Sequence, residues 1–238
     1  MQDKELTLVE HLTELRERII KSLIAVAIGF FAAVFLSQPV FQHIMEQAKV
    51  DGVQLIQYTF GDTFLTQIKL ALILGLVLAF PVVLYQVIAF ILPALKPEEK
   101  RLLFIGLPFA TGLFLAGWAF GYFIVVPITK EFFKSMAQAS LVEVAVTPSN
   151  YLSFILGICN PLGIAFELPL VVLILARIGL VTHQFMGRVR KYAFLALMIL
   201  AAVLSPPDVI SMMIFLVPLY GLYEFSIILA RFAQPKNE

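Results

Sequence analysis

The sequence predicts an all-α integral membrane protein with six transmembrane helices, kinked at several points, of which the last two are short. Of its 238 residues 61% are apolar and only 14% are charged, and the mean hydropathy is +0.94. Soluble domains average about 45–50% apolar and about 25% charged residues. The apolar residues also gather in stretches that approach the roughly 20 residues a helix needs to cross the hydrocarbon layer.

Residues 1–18 form a charged N-terminal segment that lacks the leading apolar run of a cleaved signal peptide. Thr7 and Glu10 have the spacing of a helix capping box, just before an apolar stripe at helical spacing. This pattern predicts an amphipathic helix along the membrane surface. The stripe comprises Leu8, Leu12, Leu15 and Ile19, and the acidic residues Glu10, Glu14 and Glu17 share another face.

Six apolar stretches follow, and we assign each of them as a span. The fourth contains an acidic residue, Glu167, and only Pro206, Pro207 and Asp208 separate the last two, which predicts a short helical hairpin. The spans cover 22–36, extended at its start by Ile19 and Ile20, then 70–92, 102–126, 151–176, 192–205 and 209–223.

The basic residues predict the orientation of the spans, because cytoplasmic loops are enriched in lysine and arginine. Six crossings place both termini on one side, and that side carries most of the bases, so we predict cytoplasmic termini. The bases on that side are Lys4, Arg16, Arg18, Lys21, Lys96, Lys100, Arg101, Arg177, Arg188, Arg190, Lys191, Arg231 and Lys236, against Lys49, Lys130 and Lys134 on the other, with Lys69 at a span edge.

This orientation gives the layout of a single membrane domain over 1–238. Residues 1–18 are then cytoplasmic. The predicted periplasmic loops are 37–69 and 127–150, the cytoplasmic loops are 93–101 and 177–191, and the cytoplasmic tail is 232–238.

The sequence contains no nucleotide-binding or catalytic signature. It lacks the P-loop pattern, the H-E-x-x-H metal motif and the G-x-S-x-G nucleophile pattern. His11, His43 and His183 fall in different segments and Cys159 is the one cysteine, so we predict no metal site, no cofactor and no enzymatic activity. A net charge of +1 does not favour nucleic-acid binding.

Acidic residues in two predicted cytoplasmic segments allow two interpretations. The simpler one is a solvated helix edge, on which Glu14 and Arg18 pair at i,i+4 spacing. In the other, the N-terminal carboxylates and Glu98 and Glu99 form a docking surface for a cation, because a guanidinium group takes carboxylates in bidentate geometry. The pattern by itself leaves both interpretations open.

Glu167 lies ten residues before Arg177, about 15 Å from that helix end at the α-helical rise and close to the middle of the hydrocarbon layer. A charge at that depth costs about 2.5–3.5 kcal/mol on insertion scales, so the side chain should face the bundle interior or a wet cavity. We favour a functional role over a polar clasp between helices. Glu224 lies within reach of Arg231 at a span end, where an interfacial ion pair explains it.

Small residues and prolines predict how the spans pack. Gly117 and Gly121 form a small-xxx-small pattern in the third span, and Ala71, Gly75 and Ala79 form another in the second, both typical of packing seams. Proline removes a helical hydrogen bond, so kinks are expected at prolines within or next to spans. These are Pro81, Pro93, Pro108, Pro161, Pro169 and Pro218.

Several motifs in a fixed order resemble those of the TatC family, the multispanning receptor subunit of the twin-arginine protein translocase. The resemblance covers nearly the whole chain. The motifs are His11-Leu-Thr-Glu-Leu-Arg16, Pro81-x-x-x-Tyr85-Gln86-x-x-x-Phe90, Pro93-Ala-Leu95 with Glu98 and Glu99, Phe166-Glu167-x-Pro169, Tyr192, and Ser205-Pro-Pro-Asp208.

The resemblance implies a receptor and scaffold in the bacterial cytoplasmic (inner) membrane that binds twin-arginine signal peptides and exports folded cargo. The implied partners are TatA-type and TatB-type single-span subunits and membrane lipid, with self-association left open. The implied energy source is the proton motive force, which agrees with the missing P-loop. The implied signal-peptide-binding residues are Glu14 and Glu99 for the two arginines, Arg16 and Phe90 shaping the site, and Glu10 and Glu98 beside them.

The resemblance also implies that Glu167 meets partner helices and that Pro206, Pro207 and Asp208 support the hairpin. The sequence departs from the family pattern in two places. The register between Glu98 and Glu99 is ambiguous, with Glu99 favoured, and Met212 stands where the family often has a polar amide.

Two other classes of function compete with the receptor. A proton-coupled small-solute transporter would use Glu167 as its coupling carboxylate, which the prolines near it also suit. An intramembrane hydrolase would use Glu167 and Glu224, but the sequence supplies neither a nucleophile nor paired acids at a suitable depth.

Overall fold

The computed structural model describes the backbone of residues 8–91, 97–140, 145–177, 179–205 and 208–233, and the side chains of 11–90, 106–140, 145–177, 179–205 and 208–232. It confirms a predominantly α-helical membrane protein. The helices are α1 (Leu8–Val50), α2 (Asp62–Ile91), α3 (Pro97–Phe120), α4 (Val126–Ala139), α5 (Pro148–Ala165), α6 (Leu168–Arg177), α7 (His183–Arg188), α8 (Arg190–Leu204) and α9 (Val209–Ala233), with the strands β1 (Gln54–Leu55) and β2 (Ala145–Val146).

Five helical stretches in the described part of the chain are long and apolar enough to cross a membrane. A sixth predicted span corresponds to α8, which has 15 residues and so measures only about 22 Å. The six-span count therefore stays a prediction. The five stretches are His11–Val50, Asp62–Phe90, Gly106–Ala139, Pro148–Arg177 and Val209–Phe232.

The prediction of a loop over 37–69 is wrong, because most of these residues are helical. α1 runs for 43 residues through Pro39 to Val50, and α2 begins at Asp62. Pro39 has no backbone N–H to give to the preceding turn. The carbonyl that loses its helical donor at Pro39 is that of Phe35. The Ser37 hydroxyl donates to the neighbouring Val34 carbonyl at 2.8 Å, and membrane helices tolerate such internal prolines.

The start of α1 also differs from the expected surface helix. Residues 8–18 continue into the apolar part of α1 without a break, so the structure contains no separate amphipathic helix there. Thr7 and the Glu10 side chain, which would form the capping box, lie outside the described residues.

The predicted loop over 127–150 is likewise mostly helical. A π-helical turn, Gly121–Val125, joins α3 to α4, and the Val126 N–H donates to the Gly121 carbonyl five residues earlier. Pro127 follows at once and cannot donate, so the widened turn shifts the hydrogen-bond register where an α-helix would lose a bond. Among the described residues of this range, only Ser140 and residues 145–147 lie outside a helix, and the latter include β2.

The fourth predicted span, 151–176, is interrupted and forms two helices. α5 ends at Ala165 and α6 begins at Leu168. The Glu167 N–H bonds to Ile164, three residues earlier, at 3.1 Å, and Pro169 has no N–H for the carbonyl of Ala165. The chain therefore breaks its helical hydrogen-bond pattern next to Glu167.

The last predicted span is longer than expected. α9 has 25 residues and continues to Ala233, whereas the sequence placed its end at Tyr223, just before the charged Glu224. The helix continues past Glu224, whose carboxylate forms a salt bridge with Arg190 at 2.8 Å. The predicted loop 177–191 holds the short helix α7, capped by the Thr182 hydroxyl, which accepts the Phe185 N–H at 3.1 Å.

The chain forms two compact units, residues 1–111 with 145–152 and residues 112–144 with 153–238. In the first unit α1 packs along α2, and β1 pairs in parallel with β2 in the register Gln54 to Ala145. A Cβ atom added at Gly75 would lie 2.6 Å from the Cα of Phe30. This close approach confirms the predicted seam at Gly75. The single domain over 1–238 stays a prediction.

In the second unit the predicted seam at Gly117 and Gly121 is also confirmed. A Cβ atom at Gly117 would lie 2.7 Å from the Leu162 carbonyl oxygen, and one at Gly121 would lie 3.0 Å from the Cα of Cys159. The Trp118 indole N–H donates to the Asn160 side-chain oxygen at 3.0 Å across the same seam. α9 packs against α6, α7 and α8 around buried apolar side chains such as Phe215 and Leu219.

Candidate functional site

Glu14 lies on the first part of α1 and is paired with Arg18, one turn further along. The Arg18 Nε donates to Glu14 Oε1 at 3.0 Å, and its Nη2 donates to the same oxygen. The side chains of Arg18 and Glu14 are 22% and 25% exposed, so the pair is half-buried. The i,i+4 pair of the simpler interpretation is therefore present, although its side chains are not fully solvated.

α2 supplies the other wall around this pair. Gln86 Oε1 lies 3.5 Å from Arg18 Nη1, and Phe90, one turn later, stacks on His11 with ring centroids 4.5 Å apart. His11, Glu14 and Arg18 follow a helical spacing of three and four residues, so one face of α1 presents all three to α2. The structure thus brings Glu14 and Phe90 together through side chains that the sequence did not assign to the site.

The other predicted binding residues stand apart from this pair or cannot be placed. Arg16 is exposed, and residues two apart do not face each other on a helix. Glu98 and Glu99 lie in the first turn of α3, but their side chains, like that of Glu10, lie outside the described residues.

The charged neighbours Glu17 and Lys21 form a more open pair on the same helix. Lys21 Nζ lies 3.7 Å from Glu17 Oε2, and the two side chains are more than half exposed. This pair fits the description of a solvated helix edge, whereas Glu14 and Arg18 also meet a second helix.

Glu167 is buried at the break between α5 and α6, with 7% of its surface exposed. The main chain at Phe114 is close to its carboxyl group. Neither carboxyl oxygen has a partner of hydrogen-bonding geometry among the residues that the structure describes. A buried polar group without a partner costs free energy, so the described residues leave the Glu167 carboxyl group unsatisfied at this break.

Asp208 caps the N-terminus of α9. Its Oδ1 accepts the Ser211 N–H at 2.7 Å, and its carbonyl accepts the Met212 N–H at 3.1 Å. This is the N-cap arrangement that satisfies otherwise unpaired N–H groups at a helix start. Pro206 and Pro207, the other two residues of the predicted hairpin turn, lie outside the described residues.

Glu224 has a different partner from the one expected. Arg190, and not Arg231, donates to its Oε2 at 2.8 Å, and the Tyr220 hydroxyl donates to its Oε1 at 2.9 Å. Both carboxyl oxygens are therefore engaged, which disfavours Glu224 as a catalytic acid. The described residues contain no group of three or more His, Cys, Asp or Glu side chains that could hold a metal ion.

Sequence reasoning missed the roles of His11, Arg18 and Gln86 at this site. The spacing of His11 and Arg18 around Glu14 was visible in the sequence, as was the i,i+4 pair of Gln86 and Phe90. Whether these two sets of residues face each other between α1 and α2 depends on the rotation of each helix about its own axis. Tertiary packing sets this rotation, and spacing alone does not.

Comparisons with known proteins assign the chain to a family. The family described as Sec-independent protein translocase protein (TatC) matches residues 10–218. The protein TatC of Carboxydothermus hydrogenoformans is 39% identical over 238 residues, which is 100% of this chain and 98% of that protein. The protein TatC of Escherichia coli K12 is 33% identical over 234 residues, covering 97% of this chain and 90% of that protein.

The fold agrees with these similarities. The crystal structure of a twin-arginine translocase receptor, TatC, matches with a TM-score of 0.83 at 35% identity and covers 94% of this chain and 99% of that chain. The length, the order of the apolar helices and the motifs around Glu14 and Glu167 agree with one assignment. The chain belongs to the TatC family of Sec-independent protein translocase proteins, as a multi-pass membrane subunit of the protein transport machinery.

Proposed function

We propose that this protein is the twin-arginine signal-peptide receptor and scaffold of its translocase, and that it acts in the export of folded proteins across the bacterial cytoplasmic membrane. Its partners are TatA-type and TatB-type single-span subunits, the cargo signal peptides and membrane lipid. The proton motive force powers transport, in keeping with the absence of a P-loop from the sequence. The solved structure that resembles this chain is that of a twin-arginine translocase receptor.

The half-buried Glu14 beside α2 is the observation that carries the proposal. A carboxylate in a partly desolvated position attracts a guanidinium more strongly than one in bulk water, because the local dielectric constant is lower. Glu14 already accepts hydrogen bonds from the Arg18 guanidinium, which supports the proposal that the geometry around this carboxylate suits an arginine side chain. Glu99, in the first turn of α3, takes the second arginine of the motif, with Glu98 as the neighbouring alternative. Arg16 and Phe90 shape the site, and Glu10 lies beside it.

Binding to purified protein tests the receptor role directly. A twin-arginine signal peptide is expected to bind in detergent about ten- to a hundredfold more tightly than its twin-lysine counterpart, because charge-assisted bonds of a guanidinium fork contribute roughly 1.5–3 kcal/mol. Fluorescence anisotropy of labelled peptides measures the ratio. Equal affinities for the two peptides would contradict the receptor role.

The proposed topology has six spans and cytoplasmic termini, with α8 as the short fifth span and Pro206, Pro207 and Asp208 turning the chain into α9. The excess of basic residues on the side of the termini supports this orientation. Scaffold and partner contacts follow from it: Glu167 lies within the membrane, where only a partner helix or a wet cavity reaches it.

Single cysteines test the orientation in intact cells. In a Cys159→Ala background, Tyr58→Cys and Ser140→Cys should react with a membrane-impermeant maleimide from outside, because both positions are exposed between spans on the proposed periplasmic side. Gln184→Cys, an exposed position next to the start of α7, should react only after the membrane is permeabilised. Labelling of Gln184→Cys in intact cells would overturn the orientation.

A proton-coupled solute transporter remains the second candidate, and one observation favours it. The Glu167 carboxyl is buried without a hydrogen-bond partner among the described residues, as a proton-carrying group in a membrane can be. The substitutions at Glu167 described in the Discussion separate this candidate from a partner contact.

A further inference from the structure

The proposed arginine site already contains an arginine of the chain itself. Arg18 donates through Nε and Nη2 to a single oxygen of Glu14, Oε1, and its Nη1 points to Gln86 Oε1 at 3.5 Å. One guanidinium group therefore reaches acceptors on two helices, a carboxylate on α1 and an amide oxygen on α2. Nothing in the sequence pattern of an i,i+4 ion pair requires the second acceptor.

We infer that Glu14 and Gln86 together form a guanidinium subsite, which Arg18 fills until a ligand arginine displaces it. The inference rests on the proposed receptor function and adds two residues to it. Gln86 is a specificity-determining residue that the ligand contacts. Arg18 is an internal competitor for the same acceptors.

The chemistry of the two acceptors selects a guanidinium. Its planar fork carries five N–H groups pointing in fixed, diverging directions, so it donates to Glu14 and to Gln86 at the same time, as Arg18 does. An ammonium group is a compact point charge on a flexible stem. A lysine that reaches Glu14 gains the charge interaction and leaves the amide oxygen of Gln86 unused.

The exposure of the pair makes displacement feasible. The Arg18 and Glu14 side chains are 22% and 25% exposed, so a peptide side chain can approach them from solvent. The exchange replaces one guanidinium by another and leaves no buried charge unpaired, which avoids the large cost of breaking a buried ion pair. The Glu17–Lys21 pair is over half exposed and longer, at 3.7 Å, and no described residue of α2 accepts from Lys21.

Removing the competitor has a distinctive thermodynamic consequence. Either peptide has to displace Arg18 from Glu14 before it binds there, so Arg18 weakens the binding of both. In Arg18→Ala, the twin-arginine and twin-lysine peptides should both bind about two- to fivefold more tightly, as expected for losing a partly exposed pair.

Lys21→Ala is the matched control, because it removes one positive charge from the same helix without touching Glu14. It should change both affinities by less than Arg18→Ala does. If Arg18→Ala leaves both affinities unchanged relative to this control, or weakens them, then Arg18 is not a competitor and the inference is overturned. Thermal unfolding in detergent checks that the variants are folded.

Gln86→Leu tests the specificity, and it is made in the Arg18→Ala background so that the internal competitor is already absent. The twin-arginine peptide should lose about three- to tenfold in affinity, while the twin-lysine peptide is unaffected. Equal losses for the two peptides, or none for either, would remove Gln86 from the subsite.

Glu14→Gln separates failure of this inference from failure of the receptor proposal. If Glu14→Gln does not weaken twin-arginine binding, the receptor proposal itself fails at this site. If Glu14→Gln weakens binding but the Arg18 and Gln86 variants behave like the control, then the receptor stands and only the guanidinium subsite is wrong.

Discussion

Replacing Glu14 by lysine is expected to abolish export of twin-arginine cargo, and replacing Glu99 by lysine should do the same. Loss of one charge-assisted pair weakens binding by about ten- to a hundredfold, and the introduced ammonium adds repulsion against the incoming arginine. Both variants should remain inserted and folded, because a partly exposed ion pair such as Glu14–Arg18 contributes only about 0.2–1 kcal/mol to stability. Export is measured as the amount of a folded reporter protein, carrying a twin-arginine signal peptide, that reaches the periplasm.

Glu17→Lys provides the control for this charge reversal. Glu17 lies on the same helix as Glu14, but its side chain is 63% exposed and its partner is Lys21. Export by Glu17→Lys should stay close to that of the unmodified protein. If Glu14→Lys and Glu99→Lys both export as well as Glu17→Lys, the acidic residues form a solvated surface and bind no signal peptide.

The sequence predicted the helical membrane fold well because composition and apolar run length report directly on burial in lipid. It failed over 37–69 and 127–150, which were predicted as loops and are mostly helical. Pro39 lies within α1, and Pro127 follows a π-helical turn within a continuous helical stretch. Before Pro127 the π-helical turn shifts the register of the backbone hydrogen bonds, and α1 continues through Pro39 as membrane helices can. A local pattern reveals neither of these.

Charged residues produced a similar error at the other end of the chain. The last span was predicted to end at Tyr223, yet α9 continues to Ala233, and Arg190 and Tyr220 bind the carboxyl oxygens of Glu224. The sequence separates Arg190 from Glu224 by 34 positions. Only the packing of α8 against α9 brings them together, so no local spacing predicted the pair.

The candidate site shows the same limit. Glu14 and Phe90 were predicted, and they lie on the neighbouring helices α1 and α2, where Phe90 stacks on His11 and the partner of Glu14, Arg18, contacts Gln86. The sequence identified Arg18 only as the i,i+4 ion-pair partner of Glu14 and did not predict its contact with Gln86. The residues of a membrane receptor site come from several spans, and their rotation about the helix axes is set by close contacts such as that between Gly75 and Phe30.

Glu167 should prove essential for transport and dispensable for folding. Its carboxyl group is buried with no hydrogen-bond partner among the described residues, so replacing it by leucine removes an unsatisfied polar group and leaves the purified protein at least as stable. A hydrogen bond to a partner helix in the membrane contributes about 0.6–2 kcal/mol, so losing it should weaken partner association roughly three- to thirtyfold.

Three patterns of behaviour distinguish the roles of Glu167. For a partner contact, Glu167→Gln keeps a hydrogen-bonding amide and retains much of the export, whereas Glu167→Leu loses export together with the crosslinks from this site to TatA-type and TatB-type subunits. For proton coupling, glutamine cannot titrate, so both variants are inactive while signal-peptide binding is intact. For a structural clasp, Glu167→Leu lowers the unfolding temperature in detergent and Glu167→Gln does not.

We expect the first of these patterns, because the break between α5 and α6 leaves the carboxyl group at a point where the chain itself provides no partner among its described residues. Thr129→Val is the matched control, since the Thr129 hydroxyl is also buried without such a partner and valine has nearly the same shape. If loss of a buried polar group were harmful in itself, Thr129→Val would impair export as Glu167→Leu does. Full export by Glu167→Leu would remove Glu167 from the functional residues.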